Sequence, residues 1–306
     1  MKNTVILSGS SNEPLAASIA SQLTVPLVKR DIKTFSDGET YVNIDDNLDQ
    51  KTVCVVQSGS HPVNDHLVEM LLLIDAARRQ NAETIIAVFP FYPYRRQERK
   101  VAEGEAIAAD VVARLLESVG VLSVIVCNIH APVIETFFDV PFVNVELWDS
   151  LAQHFKSQID IPEDFCVVAP DAGSIEDSSA IAERIGVSLV RAEKYRPTHD
   201  TVSIKSVDGD VSGKNVIMID DEINTAGTVC GVATALKEAG ALDIYLGATH
   251  PVLSGPAITR LEKSDLTKII VADTIVLPEE KRIDKIEVIS AAPELAHAIK
   301  QSVQSL

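Results

Sequence analysis

The sequence predicts an α/β protein built from two similar domains, each a mainly parallel sheet flanked by helices. Apolar, strand-like runs alternate with helical segments along the chain, and this alternation begins again in the second half. A length of 306 residues is enough for two domains that each bury a core. The second series begins near Leu147–Phe155, so we predict domains at 1–147 and 148–306.

The first half contains four strand-like runs and three helical segments. The apolar runs favour strands at 4–9 (TVILSG), 52–58 (TVCVVQS), 84–91 (TIIAVFPF) and 121–129 (VLSVIVCNI). The segments between them predict helices at Pro14–Leu23, Val63–Gln80 and Ala106–Val119. In the second helix Leu67, Met70, Leu71 and Ile74 recur at spacings of three and four, which places them on one face.

The second half repeats the pattern. Apolar runs predict strands at 165–173 (FCVVAPDAG), 187–193 (VSLVRAE), 215–222 (NVIMIDDE), 242–250 (LDIYLGATH) and 268–275 (KIIVADTI). Helices are predicted at Ser178–Ile185, Gly227–Ala239 and Gly255–Glu262. The segments 124–133 and 244–253 each lead an apolar strand into a His and a Pro, which suggests duplication of one α/β unit.

Charge, apolar stretches and cysteine spacing limit the classes of function and partner that fit the sequence. With 27 basic and 44 acidic residues the formal charge is -17, which argues against nucleic-acid and anionic-membrane partners. No apolar stretch approaches the roughly 18 residues of a membrane span, and no leader pattern is seen at 1–8. The four cysteines are far apart and form no CxxC pair, which favours reduced thiols in a cytoplasmic protein.

Paired acids end the most apolar strand of the second half. Asp220 and Asp221 follow the run 216–219, and a small-residue turn at 225–228 leads into a helix. Ligands of open α/β sheets bind at the carboxyl ends of strands, and helix N-termini bind anions. The pattern predicts acids that hold sugar hydroxyls or a metal beside a turn that holds a phosphate. The alternative is an ordinary strand-to-helix connection with solvated acids.

Three further stretches agree in type with this one. The segment 89–100 (FPFYPYRRQERK) concentrates base just after a strand, 167–174 (VVAPDAGS) ends a strand in an acid and small residues, and 191–197 (RAEKYRP) is a basic segment. Taken alone, each is also compatible with a solvated loop. Together they supply acids for metal or hydroxyls, turns for phosphate and cations for the charge that develops in phosphoryl transfer.

The chain resembles the ribose-phosphate pyrophosphokinases, or phosphoribosyl pyrophosphate synthetases, nearly from end to end. The resemblance rests on SGSSNEPLA (8–16), FSDGE (35–39), PVNDHLVEMLLLIDA (62–76), YRRQERK (94–100), HAP (130–132), PDAG (170–173), KYR (194–196), DDEINTAGT (220–228) and THPVLSGPA (249–257). It implies two phosphoribosyltransferase-like domains. It also implies transfer of the β,γ-diphosphoryl group of Mg-ATP to the anomeric hydroxyl of ribose 5-phosphate, with AMP as the second product.

The resemblance assigns roles residue by residue. The ribose 5-phosphate site comprises Asp220 and Asp221 for the hydroxyls, and Asn224, Thr225, Ala226, Gly227 and Thr228 in the phosphate turn. His130 and Asp171 are implied Mg²⁺ ligands, with Gly173 and Ser174 near the diphosphate. A lone His at a strand end is otherwise more often a structural hydrogen-bonding residue.

The nucleotide site and the catalytic cations follow in the same way. Arg96, Gln97 and Arg99 are implied to contact ATP, and Phe35, Asp37 and Glu39 to reach the adenine from a neighbouring subunit of a homo-oligomer. A surface turn at Asp37-Gly38 is the simpler interpretation of that last segment. Lys194 and Arg196 correspond to the pair of catalytic cations on the family's mobile loop.

The departures from the family pattern define the alternatives. Where the family usually shows Asp-Leu-His the chain has Asn128-Ile129-His130, and Asn224 replaces a frequent Asp. Glu98, Glu176-Asp177 and the segment 133–138 also differ, and they bear on regulation more than on catalysis. Asn128 is the main argument for an alternative function, a catalytically weak paralogue that binds nucleotide or an active synthetase. A phosphoribosyltransferase is a third alternative, but it has no need of the FSDGE segment or the arginine cluster.

Overall fold

The chain forms two compact units. The computed structural model describes residues 1, 3–158, 164–170, 173–198 and 201–306, with the backbone alone at 192–198 and 201–208. The first unit comprises Met1–Glu146, Thr274–Val276 and Ser290–Leu306, and the second comprises Leu147–Asp273 and Leu277–Ile289. The chain divides beside the predicted boundary at 147, but the C-terminal residues 290–306, which we had placed in the second domain, pack in the first unit.

The first unit is built on a parallel sheet. Its strands are β1 (Thr4–Ser8), β2 (Arg30–Thr34), β3 (Thr40–Ile44), β4 (Thr52–Val56), β5 (Thr84–Phe89), β6 (Ser123–Cys127) and β7 (Phe142–Val145). Five of them pair in parallel in the order β1-β4-β5-β6-β7, while β2 and β3 form a separate antiparallel hairpin. Strands β1 and β6 are buried along their whole length, because helices cover both faces of a parallel sheet.

Three helices and a short 3₁₀ segment follow these strands. They are α1 (Glu13–Leu23), α2 (Val63–Arg79), α3 (Ala108–Ser118) and the 3₁₀ helix Pro132–Phe137. The side chain of Asn12 caps α1 by accepting a hydrogen bond from the N–H of Leu15 at 3.3 Å. Of the four residues on the predicted face of α2, Leu67, Met70 and Ile74 are buried and Leu71 is partly buried against the same core.

The second unit has its own sheet. Its elements are α4 (Trp148–Gln158), β8 (Phe165–Ala169), α5 (Ile175–Ile185), β9 (Ser188–Thr198), β10 (Thr201–Asp208), β11 (Asn215–Glu222), α6 (Gly227–Glu238), β12 (Ile244–His250), α7 (Ala257–Lys263), β13 (Lys268–Ala272), the 3₁₀ helix Glu279–Lys281 and β14 (Ile286–Ile289). The order is β10-β9-β8-β11-β12-β13-β14, and every pairing is parallel except β9 with β10.

Strand β11 lies at the centre of this sheet and is buried on both faces, as predicted. Val216 and Met218 join the core on one side, and Ile217 and Ile219 join the core on the other. Its carboxyl end, where the paired acids lie, is therefore fixed by packing on two sides.

The last helix, α8 (Ala292–Ser305), returns to the first unit, where it packs on α1, β6 and β7. Its buried residues Leu295, Ala296, Ile299 and Ser302 recur at helical spacing. No helix in the described ranges has the length and apolar character needed to cross a bilayer.

The predicted helices end within a few residues of the observed ones, and the predicted fold class is confirmed. The structure adds elements that we had not predicted: the hairpin β2–β3, the strands β7, β10 and β14, and the helices α4 and α8. The segment around Lys194 and Arg196 also differs, because its backbone is the extended strand β9 and not a loop. In β10, Val202 and Ile204 alternate with polar residues, which favours a strand that can pair with β9.

Candidate functional site

The paired acids lie where the sequence predicted, at the carboxyl end of β11. Asp220 and Asp221 are half-buried, and the Asp221 N–H donates to Asp220 Oδ1 at 2.9 Å. On one side lies β8, and on the other β12, whose His250 is buried and pairs in register with Glu222. The acids thus lie at the edge of the sheet expected to bind ligands.

The turn after β11 has a backbone suited to an anion. Ala226 has φ 60° and ψ 5°, in the left-handed region, and it immediately precedes α6. Its carbonyl accepts the first helical hydrogen bond, from Cys230 N–H at 3.1 Å. Because the first turn of a helix leaves its N–H groups without helical acceptors, and a left-handed residue before it makes the N–H groups converge, the turn is a concave donor surface.

Three successive carbonyls of the turn accept hydrogen bonds from one segment, residues 253–260. Leu253 N–H donates to Ile223 O at 2.8 Å, Ser254 N–H to Asn224 O at 2.9 Å and Arg260 Nη1 to Thr225 O at 2.9 Å. In a trans peptide the N–H points opposite to the carbonyl, so the N–H groups of residues 224–226 face away from this segment. The segment therefore orients the donors of the turn.

Asn224, one of the departures from the family, is part of this arrangement. Its Oδ1 accepts a hydrogen bond from the Ser254 hydroxyl. Sequence analysis did not predict roles for Ser254 or Arg260. The hydrogen bond from Arg260 spans 35 positions in the chain, so no local pattern could have revealed it.

The other predicted residues of the second unit are only partly described. Asp171 lies outside the described residues. Gly173 is exposed, and Ser174 is buried at the start of α5, where its carbonyl accepts from Ser178 N–H at 2.9 Å.

Lys194 and Arg196 lie beyond the edge of the main sheet. The last pairing between β8 and β9 joins Ala169 to Arg191, and from there β9 continues paired with β10 alone. The backbone of both residues is thus in a two-stranded ribbon that begins at the carboxyl end of β8, the edge that also carries the paired acids. Their side chains are outside the description.

In the first unit, the arginine segment follows β5. Arg96, Gln97 and Arg99 are exposed, and Gln97 O accepts from Ala109 N–H at 3.2 Å, which ties the segment to the start of α3. Exposed guanidinium groups held near a strand end can bind the phosphates of a nucleotide.

Arg95 also lies in the basic segment 89–100, which we predicted to bind an anion, but for this residue the prediction is wrong. It is 2% exposed, stacks over the Phe91 ring at 4.9 Å and donates from Nη1 to Asn128 O at 3.0 Å. A guanidinium buried in this way is a structural link between the loops that follow β5 and β6, and it is not accessible to a ligand.

His130 follows β6 and is exposed, as a ligand-binding side chain must be. Two residues earlier, Asn128 is 4% exposed with φ 36°, and its N–H donates to Val145 O at 2.9 Å. The next N–H, of Ile129, donates to Asn144 Oδ1 at 2.9 Å. The backbone before His130 is therefore fixed on both sides.

The predicted adenine segment is the exposed tip of the β2–β3 hairpin. Phe35 is 52% exposed and meets Tyr41 edge-on, with ring centroids 5.7 Å apart. Phe35 N–H donates to Glu39 O at 2.8 Å and Glu39 N–H donates to Asp37 Oδ1 at 3.2 Å, which closes the turn. Asp37-Gly38 is the centre of this turn, with Gly38 at φ 93°.

The described residues are compatible with Mg²⁺ that is bound jointly by protein carboxylates and substrate phosphates. Among the described residues no group of three or more His, Cys, Asp or Glu side chains is arranged to hold a metal. Mg²⁺ prefers oxygen ligands and commonly keeps waters and substrate phosphates with one or two protein carboxylates. In the second unit, the half-buried carboxylates of Asp220 and Asp221 match that sparse arrangement.

A charged cluster lies at the opposite edge of the second sheet, where β13 begins. Glu287 Oε2 is 2.8 Å from Lys268 Nζ, and Glu287 Oε1 is 3.0 Å from His154 Nε2. The hydrogen bond from Lys268, aided by His154, lowers the pKa of Glu287. This cluster borders a cavity of about 340 Å³ that also contacts Phe155 and Tyr245.

The four cysteines are free thiols in the structure. No disulfide forms among the four, all of which lie in the described ranges. Burial raises the pKa of the Cys54 thiol to about 12, and burial also raises the pKa of Cys166 and Cys230. These thiols are protonated at neutral pH and poor nucleophiles.

Comparison with known proteins identifies the family. Residues 4–120 match the profile of the N-terminal domain of ribose phosphate pyrophosphokinase, and residues 195–305 match that of the phosphoribosyl synthetase-associated domain. The chain is 43% identical over 290 residues to ribose-phosphate pyrophosphokinase of Bacillus caldolyticus, covering 95% of this chain and 91% of the relative. The chain belongs to the ribose-phosphate pyrophosphokinase family.

Other members of the family extend the agreement to the whole chain. The ribose-phosphate pyrophosphokinase of Corynebacterium ammoniagenes is 40% identical over 297 residues, covering 97% of this chain and 93% of the relative. The crystal structure of phosphoribosylpyrophosphate synthetase from Mycobacterium smegmatis superposes with a TM-score of 0.92 at 35% identity and covers 100% of both chains. The predicted family and fold are thus confirmed.

Proposed function

We propose that the chain transfers the diphosphoryl group of Mg-ATP to the anomeric hydroxyl of ribose 5-phosphate, giving phosphoribosyl pyrophosphate and AMP. The observation that carries this proposal is the end-to-end relation to ribose-phosphate pyrophosphokinases, with a TM-score of 0.92 to a solved synthetase over all of both chains. The site in the second unit supports it, because it combines half-buried acids with a turn whose N–H groups face one side.

The sugar phosphate is assigned to the end of β11. Asp220 and Asp221 accept hydrogen bonds from the ribose hydroxyls, which charged carboxylates do more strongly than neutral groups. The 5-phosphate lies against the turn formed by Asn224, Thr225, Ala226, Gly227 and Thr228, where the N–H groups and the start of α6 favour an anion.

The nucleotide is assigned to the exposed cations and the hairpin tip. Arg96, Gln97 and Arg99 contact ATP from the segment after β5. Phe35, Asp37 and Glu39 contact the adenine of a neighbouring subunit in a homo-oligomer, which the exposure of the hairpin tip permits.

In the reaction, the anomeric oxygen attacks the β-phosphorus and the bond from that phosphorus to the oxygen of the α-phosphate breaks. AMP leaves with that bridging oxygen, and the proton of the hydroxyl is released to water. Lys194 and Arg196 stabilise the charge that spreads over the phosphoryl oxygens. One positioned cation of this kind contributes about 10²–10³ in rate.

His130 and Asp171, together with the ATP phosphates, would hold Mg²⁺, which would supply additional positive charge to the phosphoryl oxygens. A cytoplasmic location also belongs to this proposal, since three of the four cysteines are buried thiols.

The proposal is tested by incubating the pure protein with Mg-ATP and ribose 5-phosphate and measuring AMP. Formation of AMP that requires the sugar phosphate supports the synthetase, whereas nucleotide binding without AMP supports the weak paralogue.

Asp220→Asn and Asp221→Asn are expected to raise the KM for ribose 5-phosphate by about 10-fold or more, because a neutral amide accepts hydrogen bonds more weakly than a carboxylate. Glu238→Gln, an exposed acid at the far end of α6, is the matched control and leaves this KM unchanged.

A further inference from the structure

Arg260 contacts the phosphate turn from a distant part of the chain. It is the fourth residue of α7 and is exposed, and its Nη1 donates to Thr225 O at 2.9 Å. The same nitrogen would be 3.2 Å from a Cβ at Gly227, so it lies against the start of α6 as well.

The carbonyl that Arg260 holds differs from its two neighbours. Ile223 O and Asn224 O accept from the backbone N–H groups of Leu253 and Ser254, whereas Thr225 O accepts from this side chain. The peptide between Thr225 and Ala226 is therefore the one in the turn whose orientation depends on Arg260.

The backbone conformation of Ala226 also favours reversal of that peptide. Ala226 has φ 60°, a conformation that is unfavourable for a residue with a Cβ. Reversing the 225–226 peptide rotates φ of Ala226 by about 180° and leaves its ψ at 5°, which moves the residue out of the left-handed region to negative φ, in the bridge region. The reversed peptide points the Thr225 carbonyl toward the ligand side, where its partial negative charge repels a phosphate, and removes the Ala226 N–H from that side.

We infer that Arg260 is a positioning residue of the sugar-phosphate site, which keeps the 225–226 peptide in its anion-binding orientation and adds a positive charge beside the turn. This inference rests on the proposed function, because that function assigns the 5-phosphate of ribose 5-phosphate to the turn. The role needs no contact between Arg260 and the phosphate.

The experiment compares four variants with the parent: Arg260→Met, Arg260→Lys, Arg260→Met combined with Ala226→Gly, and Arg282→Met. Arg282 is the matched control, since it is an exposed arginine of the same unit that also donates to a backbone carbonyl, Leu277 O, at 3.4 Å. Ribose 5-phosphate binding is measured by calorimetry, and kcat and KM for both substrates are measured by AMP formation.

Arg260→Met is expected to weaken ribose 5-phosphate binding by about 10-fold, the size expected for a charge-assisted hydrogen bond at an exposed position. The KM for the sugar phosphate rises equally, while kcat and the KM for ATP stay near the parent values. Arg260→Lys retains a charged donor and regains most of the loss. Ala226→Gly removes the Cβ that disfavours the left-handed conformation, so it regains about threefold in the Arg260→Met background.

Equal affinity of the parent, Arg260→Met and Arg282→Met for ribose 5-phosphate overturns the inference. A fall in kcat with unchanged sugar-phosphate affinity overturns it too, because positioning of the turn predicts a loss of binding. A parent protein that does not bind ribose 5-phosphate overturns the proposed function, and this inference with it.

Discussion

Asn128 has a backbone conformation that few residue types adopt easily. Its φ is 36°, and asparagine is among the non-glycine residues that populate this region most often. It is 4% exposed, its carbonyl accepts from buried Arg95 and its N–H donates to Val145 O. These contacts favour a role in fixing the chain before His130 over a direct electrostatic role.

Asn128→Asp is therefore expected to change the Mg²⁺ concentration for half-maximal activity by less than about twofold. An amide and a carboxylate can both accept the hydrogen bonds of an orienting residue, and ATP brings its own charge to the metal. A Mg²⁺ titration of both proteins measures this. A large decrease in the half-saturating Mg²⁺ concentration for Asn128→Asp would show that the charge missing at this position limits metal binding. That result would strengthen the weak-paralogue alternative.

The arginines show how far residue roles could be predicted from sequence. The cluster at 95–100 was recognised as a group of basic residues in an acidic chain. The buried position of Arg95 could not be predicted, because its hydrogen-bond partner Asn128 lies 33 positions away. The role of Arg260 in α7 could not be predicted from the sequence, because its partner Thr225 lies 35 positions away in the turn after β11. The acids at 220–221 could be predicted because an apolar run fixes the strand that places them.

At the scale of elements, the hairpin β9–β10 carries the two predicted catalytic cations. Its register changes between Thr201 and Ser203 and again between Ile204 and Ser206. Register shifts of this kind bend a ribbon and increase its twist, and they are frequent next to active sites. An extended ribbon that starts at the edge carrying the acids can bring cations to a substrate bound there.

Lys194→Ala and Arg196→Ala are each expected to lower kcat by about 10²-fold or more, with ribose 5-phosphate affinity nearly unchanged, because they act on charge that develops only in the transition state. Lys205→Ala removes a cation from β10 of the same hairpin and is the control for general effects on the ribbon. Measurement of kcat with calorimetric binding separates the two effects. Near-normal turnover in both Lys194→Ala and Arg196→Ala would contradict the assignment of these residues as catalytic cations.

Elements with strong apolar periodicity were predictable, and those that depend on pairing partners were not. Strand β11 and helix α2 were recognised because their buried residues are contiguous or recur at helical spacing. Strand β14 has four residues, none of them fully buried, and is defined by its pairing with β13. The Asp37-Gly38 turn was visible in the sequence, yet the flanking strands β2 and β3 have only one fully buried residue between them and did not stand out.

The cluster around Glu287 gives the second unit a pH-dependent element. The pKa of Glu287 is lowered in the folded protein, first by the hydrogen bond from Lys268, so its contribution to stability is present above the unfolded pKa and is lost as pH falls through the folded pKa. Glu287→Gln is expected to lower the Tm by roughly 1–3 °C at pH 7, and this difference should disappear well below pH 4. Thermal melts from pH 3 to pH 7 measure it.

Glu279→Gln is the control for that experiment. Glu279 belongs to the same unit, and its ion pair with Arg282 spans 3.4 Å with side chains 86% and 64% exposed. Exposed pairs contribute little, so its melting curve should follow that of the parent at every pH. A constant Tm difference for Glu287→Gln across the whole range contradicts the role of the carboxylate charge.

At the scale of the whole molecule, the two units are interleaved in sequence. The chain leaves the first unit at 146, returns for 274–276, and ends there with α8 after β14 has been added to the second sheet. The restart of the α/β pattern predicted two domains and their first boundary. The pattern could not predict that the C-terminal residues return to the first unit, because α8 packs on α1, which lies almost the whole length of the chain away.

Phe35 supplies the test of a site shared between subunits. An aromatic ring that is 52% exposed at the tip of a hairpin is suited to pack on a ligand or partner, and the proposed function places it on the adenine bound by a neighbouring subunit. Phe35→Ser and Lys194→Ala each remove one component of such a site. If one site combines the hairpin of one subunit with the ribbon of another, co-assembly of the two variants creates intact sites.

We expect each variant alone to retain little activity, and an equal mixture to regain about a quarter of the parent activity after subunits are allowed to exchange. Random pairing places an intact hairpin beside an intact ribbon in about one site in four. The measurement is AMP formation before and after exchange, with Phe35→Ser mixed with itself as the control. Sites contained within one subunit predict no recovery, because every chain in the mixture then carries its own defect.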